Sequence, residues 1–153
     1  MYRGTHDALT DKRNEHVLIF VNGELFPRNE AKISVFDSGF LIGDGIWEGL
    51  RLHHDQLIFL DEHLDRLYQG AKAISREIGM NRNEITAALW RTIHANQMHD
   101  GVHIRLMVTR GIKKTPSQDP RLTVGNSTIV IIAEHKQVNP RGFEQGIRLF
   151  TST

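Results

Sequence analysis

The chain has 153 residues, 39% hydrophobic and 24% charged, which is material for one globular domain and little more. Nineteen Lys and Arg against 18 Asp and Glu leave a formal charge of +1, so the bulk basic field that drives nucleic-acid or anionic-membrane binding is excluded. There is no cysteine for a disulfide, a thiolate metal site or a nucleophile, and no apolar run approaches the roughly 20 residues of a membrane span.

Residues 1–15 read as a polar leader of mixed charge without the apolar core of a signal peptide, which implies a cytoplasmic protein. His16 to Val21 is a dense β-branched and aromatic run stopped by Asn22-Gly23, a strong hairpin signal. Leu25 and Phe26 begin the return strand and Pro27 interrupts it. Ala31 to Phe36, with Ile33 and Val35 in alternation, predicts another strand. Glycines 39, 43 and 45 mark a tight loop, with positive φ expected at Gly43 and Gly45. Ile46 to Leu52 alternates, placing Ile46, Leu50 and Leu52 on one face and Trp47, Gly49 and Arg51 on the other.

After a turn at His54 to Gln56 and a short strand Leu57 to Leu60, the period changes. Leu60, Leu64, Leu67, Ala71, Ile74 and Ile78 recur at three and four, predicting a helix with Asp61 as N-cap and Gly79 as stop. A second helix follows, opened by an Asn81/Glu84 capping box, buried along Ile85, Ala88, Leu89, Thr92 and Ile93, and ending near Met98. Strands return at Val102 to Arg110, Thr128 to Glu134 and Ile147 to Thr151. This order predicts an α+β fold, a mainly antiparallel sheet with two consecutive helices on one face, plus the first strand of a second domain.

Gly43-Asp44-Gly45 with Gly49 does not make a dinucleotide loop, because the third glycine falls one residue late and a strand follows instead of a helix. The nine histidines lack the spacing of a metal site, so no metal is expected and solvated side chains are the reading for most of them. His103 and Arg105 share one face of their strand with Met107 and Thr109. On spacing alone this is an exposed polar sheet face. Arg66 stands on the flank of the first helix, where it is either a phosphate anchor or the partner of Glu62 or Asp65 in a surface ion pair, and spacing favours the ion pair.

The run Val35-Phe36-Asp37-Ser38-Gly39-Phe40-Leu41-Ile42-Gly43-Asp44-Gly45-Ile46-Trp47-Glu48-Gly49-Leu50-Arg51, followed by Leu60-Asp61-Glu62-His63-Leu64-Asp65-Arg66-Leu67, closely resembles the N-terminal part of class IV pyridoxal-phosphate aminotransferases. Val102 to Gly111, ending Val-Thr-Arg-Gly, extends the resemblance over roughly residues 16–153. The resemblance implies pyridoxal 5'-phosphate as cofactor, with Arg66 gripping its phosphate. It implies that Trp47, His103 and Arg105 line the substrate pocket, where an arginine can hold a carboxylate bidentately. It also implies a homodimer or higher oligomer, and an amino donor and a 2-oxo acid as substrates.

His103 resembles the D-amino-acid enzymes of the family and Arg105 the branched-chain ones, while Ile42 stands where the latter usually carry tyrosine. The family's Schiff-base lysine is expected beyond Thr153. Lys12, Lys32, Lys72, Lys113, Lys114 and Lys136 all lie outside the matching context, and solvated ammonium groups are expected for them. The expected organisation is a leader (1–15), a small α+β domain (16–135), an interdomain segment (136–146) and the start of a truncated large domain (147–153). Such a chain would be the N-terminal portion of an aminotransferase, inactive alone. The alternatives are a lyase of the aminodeoxychorismate type, or a non-catalytic binding or dimerisation module if the chain is complete.

Overall fold

The computed structural model of the chain describes residues 10–136 together with Gly146 and Thr151. The expected strand at Ile147 to Thr151 except its last residue, most of the interdomain segment and residues 1–9 of the leader lie outside the described residues. Leu18–Val21 (β1) and Glu24–Pro27 (β2) form the expected hairpin, turning through Asn22 and Gly23, both at positive φ. Pro27 sits on an edge strand, where its missing N–H costs nothing.

The chain then departs from expectation. Residues 31–36 form no strand, and Ile33, Val35 and Phe36 are exposed. Their alternation has no neighbouring strand to pair with, and the Phe36 carbonyl instead accepts the Lys113 N–H at 2.9 Å. The glycine loop holds a one-turn helix, Ser38–Ile42 (α1), capped by the Asp37 carboxylate and closed by Gly43 at φ +70°. Gly45 has no positive φ. Its glycine is required by close approach, since a Cβ there would meet the Val108 carbonyl oxygen at 2.8 Å.

Gly45–His53 (β3) and Gln56–Ile58 (β4) follow, then Leu60–Ala73 (α2) and Arg82–Ala95 (α3). Helix α2 starts one residue before the expected Asp61 cap, behind Phe59 in the left-handed region, and no side chain caps it. It also ends earlier than its periodicity suggests, because Ser75 turns to positive φ and Arg110 takes the Ile74 carbonyl at 2.7 Å. Ile78 is buried nonetheless, from the loop. The capping box and the whole predicted stripe of α3 are present, although the helix stops at Ala95.

Val102–Thr109 (β5) and Thr128–His135 (β8) are joined by a loop carrying the two-residue strands Ile112–Lys113 (β6) and Thr123–Val124 (β7). Lys113 is not solvated as expected. It is 2% exposed, and its Nζ donates to the Asp119 carbonyl at 3.0 Å. The main sheet runs β2-β1-β8-β5-β3-β4 with every pair antiparallel, and the two helices pack on one face, as the α+β reading required. Leu50, Leu52, Ile104, Leu106, Ile131 and Ala133 from the sheet meet Leu64, Leu67, Ile85 and Leu89 from the helices in a single core. Each large side chain so buried contributes about 1.5–3 kcal/mol. Among the described residues no helix is long and apolar enough to cross a membrane.

Candidate functional site

Strand alternation gathers Trp47, His103 and Arg105 on one face of the sheet, while Arg66 stands on α2 across the other. Glu48 follows Trp47 on β3 and therefore points the other way, into the helix layer between Ile46 and Leu50. It is 3% exposed. A carboxylate in that position demands partners, because burying an unpaired charge is costly. Two residues one turn apart on α2 provide them. Arg66 donates from Nε to Oε1 at 2.7 Å and from Nη2 to Oε2 at 2.5 Å, and His63 Nδ1 stands 2.8 Å from Oε2. Burial raises the Glu48 pKa, but the Arg66 and His63 hydrogen bonds outweigh it and hold the group below the usual carboxylate value.

Arg66 therefore is in an ion pair, but with neither partner its helical spacing offered. Asp65 is occupied by Arg82, which also reaches Asp61. The side chain of Arg66 is 69% exposed while its partner is buried, so the guanidinium is tethered on one edge and open on the other.

The opposite face of the sheet carries Trp47, Arg51, His103 and Arg105. The register pairs Arg51 with His103 and Gly49 with Arg105. Gly49 leaves room for its neighbours, since a Cβ there would stand 3.2 Å from His103 Nε2 and 3.7 Å from the Trp47 ring. Arg105 lies over the Trp47 ring, its guanidinium carbon 4.2 Å from the ring centroid. Glu134, directly across from His103, is taken by Arg28 at 2.5 Å and leaves the patch positive. Desolvation lowers the His103 pKa first, and the positive charges of Lys136, Arg105 and Arg51 lower it further against a small opposing effect of Glu134. A neutral imidazole flanked by two guanidinium groups suits an anionic ligand.

Trp47, His103 and Arg105 are thus brought together, and Arg66 is not among them: it lies on the helix side of the sheet. Sequence reasoning passed over Glu48 and Arg51. The signal for Glu48 was present, as it is the one charged residue on the apolar parity of β3, between Ile46 and Leu50. Arg51 shares the parity of Trp47, and its Nη1 donates to the Lys136 carbonyl at 2.8 Å.

The glycine loop serves the scaffold. Asp37, fully buried, caps α1 and accepts from Thr109 Oγ1 at 2.9 Å, and Arg110 ties Asp44 to the end of α2. His53 and His54 at the β3–β4 turn meet Asp100 from the loop before β5, but all three are exposed, and Asp100 already accepts from the His54 backbone N–H and lies 2.8 Å from His53 Nδ1. A groove of about 800 Å³ beside Tyr68, Ser75, Ile78 and Met80 contains none of the predicted site residues.

Residues 45–152 match the amino-transferase class IV family. The chain belongs to that family. It is 42% identical over 148 residues to the branched-chain-amino-acid aminotransferase-like protein 1 of Arabidopsis thaliana, covering 95% of this chain and 26% of that protein. It is 36% identical over 93 residues to a D-alanine aminotransferase of Bacillus licheniformis, covering 61% of this chain and 32% of that protein. The T.th. branched-chain amino acid aminotransferase, solved in complex with N-(5'-phosphopyridoxyl)-L-glutamate, superposes with a TM-score of 0.68 at 26% identity over 77% of this chain and 40% of that one. The chain of this class IV member therefore spans a quarter to less than half of the length of these relatives.

Proposed function

We propose that this chain forms the N-terminal portion of a pyridoxal-phosphate-dependent aminotransferase that moves an amino group between an amino acid or amine and a 2-oxo acid. Residues 16–135 act as its small domain. The observation that carries this reading is Arg66: a guanidinium fixed on one edge by a buried carboxylate and open on the other, on the motif that resembles the family's phosphate-gripping segment. An open guanidinium edge fits two oxygens of a phosphate.

When bound, the cofactor supplies the electron sink for bond changes at the substrate carbon that bears the amino group. Everything this chain adds is binding and orientation. Arg66 holds the phosphate and so fixes the cofactor's distance from the domain. Arg105, stacked on Trp47, holds the substrate carboxylate, and Trp47 walls the pocket against water. His103, whose pKa is lowered first by desolvation and then by its cationic neighbours, offers a hydrogen bond to the same anion.

The cytoplasm, a homodimer or higher oligomer, and a catalytic lysine outside this chain complete the reading. It is tested by adding pyridoxal phosphate to the full-length protein and following amino transfer from branched-chain L-amino acids, D-alanine and simple amines to 2-oxoglutarate. Turnover with one donor class supports the reading. Cofactor binding with turnover that needs no amino acceptor would assign a lyase instead.

A further inference from the structure

A long arginine side chain on an exposed helix flank samples many rotamers, and fixing it on a ligand costs entropy. Something in this chain already holds Arg66. We propose that Glu48 is a positioning residue for the cofactor phosphate, aiming Arg66 from beneath so that its end-on fork faces outward. The inference rests on the reading of Arg66 as the phosphate anchor.

The geometry is specific. The Glu48 contacts use Nε and Nη2, the side-on edge of the guanidinium. That leaves Nη1 and the outer N–H of Nη2 facing away from the carboxylate, the pair that matches two oxygens of a phosphate, with His63 Nδ1 3.3 Å from Nη2. His63, one helical turn before Arg66, contacts the same carboxylate at 2.8 Å and restrains its rotation. Of its two partners by helical spacing, Asp65 is engaged by Arg82, and Arg66 turns to Glu48 instead of Glu62. Positions 46, 50 and 52 of the same face carry apolar residues, so packing alone has no use for a carboxylate at 48.

Orientation and plain electrostatics make opposite forecasts. Glu48 cancels part of the Arg66 charge, so if it acted only through charge, removing that charge would tighten phosphate binding. As a positioning group its removal weakens it. The experiment measures dissociation constants of the full-length protein for pyridoxal phosphate and for pyridoxal, which lacks the phosphate. Glu48→Gln is expected to weaken pyridoxal phosphate on the order of tenfold, the size of loss found when a group orienting a metal ligand is removed, with pyridoxal within about twofold. Arg66→Ala should show the same selectivity, and adding Glu48→Gln to it should cost nothing more.

Unchanged or tighter pyridoxal phosphate binding in Glu48→Gln, with Arg66→Ala impaired, overturns the positioning role alone. An equal loss for pyridoxal overturns it too, in favour of a merely structural role. Unchanged binding in Arg66→Ala overturns the anchor as well. If the Gln variant fails to fold, Glu48→Asp keeps the buried charge but withdraws it by one methylene, and it should show the same phosphate-selective loss. Wild-type affinity there contradicts the proposal.

Discussion

Arg105 lies over the Trp47 ring at 4.2 Å although the two are not register partners: Trp47 opposes Met107, and Arg105 opposes Gly49. The guanidinium leans diagonally across β3, and the absent side chain at Gly49 leaves its space to His103 Nε2 and the Trp47 ring. Stacking orders the group through its flat face and leaves its N–H edges free, so the contact prepares an arginine for a planar carboxylate.

Arg105→Ala in the full-length protein should therefore raise KM for amino acids about ten- to a hundredfold, the cost of losing a charged hydrogen-bond pair, while KM for simple amines changes little. Stability should fall by only about 0.5–1 kcal/mol, the worth of a partly exposed cation–π contact. Equal losses for amino acids and amines would show that Arg105 is structural.

Gly45 and Gly43 separate two reasons for glycine. Gly45→Ala drives a Cβ against the Val108 carbonyl, which belongs to the sheet backbone and cannot swing away, whereas Gly43→Ala meets open space and suffers only its φ of +70°. Thermal unfolding should show a loss of about 1 kcal/mol for Gly43→Ala, about 3 °C in Tm, and a distinctly larger loss for Gly45→Ala. The reverse order would contradict the close-approach explanation.

These glycines also mark how far the sequence could be read. The hairpin at Asn22-Gly23, the capping box at Asn81 and the buried stripe of α3 were legible because each rests on local spacing. The false strand at residues 31–36 shows the converse: alternation reports a possible pairing, and pairing needs a neighbour the sequence does not name. At the site, the shared face of Trp47, His103 and Arg105 followed from period two alone, and the register then made the Trp47–Arg105 contact. The Arg66–Glu48 pair was hidden because it joins a helix to a strand 18 residues away, where spacing within the helix pointed to Glu62 and Asp65. Lys113 was misread for a related reason, since burial in a loop comes from what the loop folds over.

His103 should titrate below 6.5, its ordinary value, because desolvation and then the surrounding cations disfavour the imidazolium. Between its folded pKa and 6.5 the unfolded chain binds more protons than the folded one. This group's share of stability is therefore present above 6.5 and is lost as pH falls to the folded value. NMR of the His103 ring protons in the ligand-free protein checks the direction, and a midpoint above 6.5 would contradict it. A bound carboxylate should move the midpoint upward.

The lysines of this chain should not bond to the cofactor. Lys113, the buried one among the described residues, already donates to the Asp119 carbonyl. Mixing the 153-residue chain with pyridoxal phosphate, reducing with borohydride and mapping the peptides should label no single lysine stoichiometrically, and the mixture should transfer no amino group. One lysine labelled in full would place the catalytic lysine within the chain.

The affinity of the full-length protein for pyridoxal phosphate with and without the Arg66 guanidinium bears most directly on the proposed function. Arg66→Ala strips the buried Glu48 carboxylate of its main partner and should lower stability, so folding is verified first; the folded variant should bind the cofactor about ten- to a hundredfold more weakly. A folded Arg66→Ala protein with an unchanged Kd for pyridoxal phosphate would show that this arginine does not grip the phosphate.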